Sequence, residues 1–186
     1  MRPIVVSRLV RATLLAAALA VPAACAAGAH AAPIAVPKAC AVLTTSIATS
    51  LIKERPRTIL STPLVCQYGR SSERAATTKT TVGLTIVRNP SVAAAKAVQR
   101  RVEHAAPKKA PVGLAGFAKG KLTVSGGEAA YVYYYQPGGT ITGGYVFLRI
   151  GVYTAQLTPQ VDSAHAPAFT ATDLKRTASQ MAANWS

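Results

Sequence analysis

Cys40 and Cys66 limit what this chain can fold into more than any other pair of residues in it. The third cysteine, Cys25, lies in an N-terminal segment with the marks of an export signal. Arg2, Arg8 and Arg11 form a positive region, Leu14 to Val21 is a short apolar run, and Ala29-His30-Ala31 supplies a small-residue cleavage pattern. The run is too short for a comfortable membrane span. Cleavage near Ala31 is favoured over lipidation at Cys25, because Pro22 stands where a lipoprotein signal prefers leucine or a similar residue. Two cysteines then remain in an exported protein, and two cysteines allow one intramolecular disulfide. Closing the Cys40–Cys66 loop contributes roughly 3–4 kcal/mol on the loop-entropy model. A metal pair would need ligand companions, yet His104 and His165 are far away in sequence. A redox dithiol would be spaced C-x-x-C. The expected organisation is an export signal over 1–31, an extended lead-in over 32–39 and one disulfide-stapled domain over 40–186.

The domain reads as α+β. Thr44, Thr45 or Ser46 can cap an opening helix that carries Leu43, Ile47 and Leu51 on one face and ends before Pro56. Residues 55–63 read as a basic loop. Leu64 to Tyr68 and Val82 to Ile86 alternate as strands. Asn89-Pro90 reads as a helix start, with Val92, Ala95, Val98 and Val102 facing in and Lys96, Gln99, Arg100, Arg101 and Glu103 facing out. Leu122-Val124 is an optional short strand. Glu128 to Tyr135, Tyr145 to Arg149 and Val152 to Leu157 are further strands. Thr170 with Asp173 forms a capping-box-like start to a last helix. The expected architecture is an antiparallel sheet of about five strands, order α-β-β-α-β-β-β-α, with the helices packed on one face.

The formal charge is +15. Without the three arginines of the leader, 18 basic side chains face 6 acidic ones, a balance of +12. A field of that sign attracts anionic surfaces. Arg100, Arg101, Lys108 and Lys109 cluster at one helix end and are the candidate patch for an anionic partner. Export argues against nucleic acid as that partner. Tyr131, Tyr133 and Tyr135 share one strand face and are candidate ligand contacts, weighed against simple packing. Among the acidic residues only Glu128, at the mouth of the tyrosine strand, stands where chemistry could be expected. His104 reads as a helix-ending residue, and neither it nor His165 accompanies a G-x-S-x-G elbow. The residues point to no catalytic set, no metal site and no cofactor.

Cys40-Ala41-Val42-Leu43-Thr44, Cys66-Gln67-Tyr68, the helix after Asn89-Pro90, Gly126-Gly127-Glu128-Ala129-Ala130-Tyr131 and Val146 to Val152 together resemble a large family of small actinobacterial lipoproteins and secreted proteins of uncharacterised function. They are also similar in outline to the extracytoplasmic sensor domains of some actinobacterial receptor kinases. The resemblance spans roughly residues 38–185. It implies a binding or sensing module at the cell envelope and carries over no catalytic residue. The expected function is therefore a secreted envelope module without catalysis. The alternative is an interaction factor or inhibitor acting on a partner protein. The expected partner is an envelope ligand or protein of anionic character, the expected state is a monomer, and membrane contact would follow only from lipidation at Cys25.

Overall fold

The computed structural model describes residues 36–74, 79–160 and 169–185. The export signal over 1–31, Cys25, the start of the lead-in, His165 and Asp162 lie outside the described residues. The elements in order are α1 (Ala39–Val42), α2 (Thr45–Ile52), β1 (Pro56–Ser61), β2 (Val65–Arg70), β3 (Thr81–Arg88), α3 (Val92–Ala105), β4 (Gly116–Val124), β5 (Gly127–Tyr135), β6 (Ile141–Ile150), β7 (Tyr153–Gln160) and α4 (Ala171–Ala183). The class is α+β, as expected, but the sheet has seven strands rather than about five. Every pairing is antiparallel, in the order β1-β2-β3-β7-β6-β5-β4.

Two strands account for the difference. β1 occupies the stretch expected to be a basic loop. Pro56 opens it at the sheet edge, where a missing amide costs little, and a bulge between Thr58 and Leu60 interrupts its pairing. β4 is a full edge strand rather than an optional fragment, because Gly116 and Gly120, which hide its pattern, lie opposite tyrosines of β5.

The helices occupy both faces of the sheet, which corrects the expectation of one. Val82, Leu84 and Ile86 of β3, Val146, Leu148 and Ile150 of β6 and Leu157 of β7 point to one side. There they pack with Leu43, with Ile47 and Leu51 of α2, and with Leu174 and Met181 of α4. α3 lies on the other side, where Gln99 meets Arg149 between Leu148 and Ile150. This two-sided cover is why Val146 to Ile150 are all buried in succession. α3 packs chiefly on β6 and β7 and reaches toward β4 and β5, whereas on the same face of β1–β3 Leu60 and Val87 are about half exposed.

Local chemistry sets the helix ends. Thr44 caps α2, its hydroxyl accepting from the Ile47 amide at 3.3 Å. Lys53 adopts a left-handed φ of 60° and closes that helix ahead of Pro56. Ser91 caps α3 rather than Asn89. The Asn89 side chain is taken by the end of the sheet, donating to Val152 O at 3.0 Å and Thr154 Oγ1 at 3.2 Å. Thr170 and Asp173 make the expected capping box.

The disulfide joins Cys40 of α1 to Cys66 of β2, with Cα atoms 5.0 Å apart. It holds the opening helix on the second strand rather than the first. Such a bond suits an oxidising, extracytoplasmic environment. No helix of the described residues is long and apolar enough to cross a membrane.

Candidate binding sites on the two faces of the sheet

The tyrosines come first because their strand register explains their posture. Tyr131, Tyr133 and Tyr135 of β5 stand opposite Gly120, Ala118 and Gly116 of edge strand β4, on the side of α4. A Cβ at Gly120 would lie 2.4 Å from the Tyr131 hydroxyl, and one at Gly116 would lie 2.2 Å from that of Tyr135. The rings therefore lie across the bare backbone of β4. Tyr131 and Tyr133 stack with centroids 6.3 Å apart, Tyr135 tilts beside Tyr133 at 6.5 Å, and Lys175 Nζ sits 5.6 Å over the Tyr131 ring. The three rings are half-buried. Tyr133 and Tyr135, with Ile141, Phe169 and the Gly138-Gly139 turn, line an open groove of about 720 Å³. Packing and solvent exposure coexist in this ladder.

On the opposite face the structure brings together residues that sequence reasoning kept apart. Arg149 of β6 is 7% exposed and Gln99 of α3 is 4% exposed. Arg149 Nε donates to Gln99 Oε1 at 2.8 Å, and Gln99 Nε2 donates to Glu103 Oε1 at 3.1 Å. Lys121 Nζ of β4 donates to Glu103 Oε2 at 2.5 Å. Arg149 Nη2 also approaches Glu128 Oε2 at 3.4 Å. Gln99 and Glu103 thus face inward, against expectation. Their spacing of four places both on one helix face, and a charged residue inside the apolar run of β6 was the available signal that a polar partner must sit above it.

Burial pushes the Glu103 carboxyl up, but hydrogen bonds from Lys121 and Gln99, with the charges of Lys121 and His104, outweigh it and hold it below the ordinary carboxylate value. Burial raises the Tyr145 hydroxyl above its ordinary value, and neighbouring Tyr134 adds to that.

Beside this network, α3 leaves a cavity of about 320 Å³ over β4, β5 and β6. Ala130, Val132 and Tyr145 belong to its sheet wall, Val102 and Ala106 to its helix wall. Lys119, Lys121, Glu103 and His104 complete the lining. The small side chain of Ala130 keeps the space open. A smaller recess of about 200 Å³ lies alongside, between Gln99, Lys121 and Glu128.

Arg100, Arg101, Lys108 and Lys109 are all exposed, on and just after the C-terminal half of α3. His104 lies in the last turn of α3, as expected. Among the described residues, no group of three or more His, Cys, Asp or Glu is placed to hold a metal ion. The chain matches no protein-family model, no curated protein and no solved structure.

Proposed function

We propose that this chain is an exported, non-catalytic binding or sensing module of the cell envelope, with the cavity between α3 and strands β4–β6 as its ligand seat. The observation that carries this reading is the cavity's make-up: largely apolar walls, a basic rim, and one lining carboxylate, Glu103, already committed to Lys121. General acid–base work needs a carboxyl poised to exchange a proton near the working pH. Glu103 is held ionised by Lys121, and Glu128 faces Arg149. Concave apolar sites with a few convergent polar groups are where small ligands settle. An envelope binding module is also what the resemblance to small actinobacterial secreted proteins implies.

The test is capture from cell-envelope extract by the purified protein and by Ala130→Leu, with small molecules read by mass spectrometry. A species retained by the native protein and lost from the variant supports the reading. Equal retention by both, or nothing above blank resin, refutes it.

A second reading, a secreted interaction factor or inhibitor, draws on the open face of β1–β3. Leu60 and Val87 are exposed there, with Ile59 and Leu64 exposed beside them. It predicts that Leu60→Lys with Val87→Lys, and not Ala130→Leu, ends capture of a partner protein.

A further inference from the structure

The chemistry of the cavity narrows its ligand, and the narrowing rests on the reading just given. We propose that the site takes a small anionic amphiphile: one acidic head, carboxylate or phosphate, on an apolar body.

Size sets the first limit. A space of about 320 Å³ holds about ten water-sized groups at ~30 Å³ each. A whole membrane lipid exceeds this space, so the body seated in it is short. The walls set the second. Ala130, Val132, Val102 and Ala106 offer no polar side chain to a ligand, so the body in contact with them is apolar.

Charge sets the third. Lys119 and Lys121 are two apart on β4 and project to the same face. Lys121 is matched by Glu103 at 2.5 Å. Lys119 pairs with no described residue and leaves one unmatched cation on the strand side of the rim. The opposite wall is the C-terminal end of α3, whose free carbonyls carry partial negative charge. An anionic head therefore turns to Lys119, and the apolar body lies toward the helix. The exposed Arg100, Arg101, Lys108 and Lys109 add a positive approach field around the same helix end. A cationic amphiphile finds no unmatched carboxylate in the lining, since Glu103 is taken.

The experiment is calorimetric titration of the purified protein with octanoate, whose heavy atoms number about ten, octyl phosphate, octanol and octylammonium, all below their aggregation limits. Octanoate and octyl phosphate are expected to saturate one site, with octanol and octylammonium weaker. Lys119→Gln, at an exposed position, should weaken octanoate about 2- to 5-fold, the range of an exposed charge pair, and leave octanol unchanged. Ala130→Leu should weaken every probe tenfold or more. Octanol or octylammonium binding as tightly as octanoate overturns the anionic class and leaves the cavity standing as a ligand seat. No saturable binding by any probe, or binding that survives Ala130→Leu in a folded protein, overturns the cavity as well. Binding to anionic phospholipid vesicles without competition from octanoate assigns the basic rim to a membrane surface and also overturns the proposal.

Discussion

Replacing Gln99 by Leu tests the polar network on the α3 face most directly. Leucine keeps nearly the same volume, so little of the effect comes from a cavity. What changes is that Arg149 Nε loses its acceptor at 2.8 Å while 7% exposed. Stranding a buried donor costs about 1–3 kcal/mol, and more for a charged group. Arg149 retains Glu128, but at 3.4 Å and with a partner that is largely exposed. The expected loss is therefore about 2–3 kcal/mol. At roughly 2–4 °C per kcal/mol for a domain of this size, the melting temperature falls by roughly 4–12 °C. The decisive comparison is a double mutant. Gln99→Leu with Arg149→Met removes donor and acceptor together, and apolar replacement of both partners is often close to neutral. Urea unfolding of the native protein, both single variants and the double variant gives the coupling. If Gln99→Leu is silent, or if the double variant loses as much as the two singles added, the network does not hold α3 to the sheet.

Three further outcomes follow from the structure. Reduction of the Cys40–Cys66 bond should lower the melting temperature, by an amount set by roughly 3–4 kcal/mol of lost loop constraint; two free thiols in the intact mass of the native protein would contradict the bond. Gly127→Ala should destabilise by about 1–3 kcal/mol by overpacking, because its Cβ would lie 1.8 Å from the Arg149 carbonyl oxygen, whereas Gly143→Ala, whose nearest neighbour is 3.8 Å away, should be tolerated in a side-by-side thermal melt. Burial would raise the Asp173 carboxyl, but hydrogen bonds from Lys53 and Thr170, with the Lys53 charge, hold its pKa below the ordinary 3.8. A depressed carboxylate contributes stability that is fully present above its ordinary value and is lost as pH falls through the lowered one. Stability should decline in that acid window, and Asp173→Asn should flatten the decline in a pH series of melts.

The sequence exposed those parts of the fold whose signals are local. Val82, Leu84 and Ile86 alternate because one face of β3 is buried and the other, with Thr85 and Val87, is open. The Thr170–Asp173 box lies within a single turn of chain, so its residues could be paired by spacing alone. Signals failed where a distant partner decides. Only Leu122-Val124 of β4 reads as a strand, because Gly116 and Gly120 carry no side chains and tyrosine rings from the next strand lie over them instead. Asn89 has the right chemistry for a cap, yet the Val152 carbonyl and the Thr154 hydroxyl, more than sixty residues later, claim it. Gln99 reads as solvent-facing until Arg149, fifty residues on, is placed beneath it. The candidate cavity was illegible for the same reason: its walls come from α3, β4, β5 and β6, and the small residue that opens it, Ala130, is one alanine among many. The basic cluster at 100–109 was legible, because its charges are close in sequence and nothing described neutralises them.

The seam between β3 and β7 has a consequence for how the protein acquires its structure. Thr81 pairs with Gln160 and Arg88 with Tyr153, so the central strands of the sheet are supplied by widely separated parts of the chain. Both cysteines precede β3, and the disulfide can close while the last strand is still to come. Until β7 arrives, β3 and β6 each present a bare edge of unpaired amides and carbonyls, the condition that invites strands of other chains. Assembly is thus gated by a late, long-range closure, which slows folding relative to a chain of local hairpins. A product ending before Tyr153 would hold two unjoined half-sheets and would be expected to aggregate, its disulfide intact.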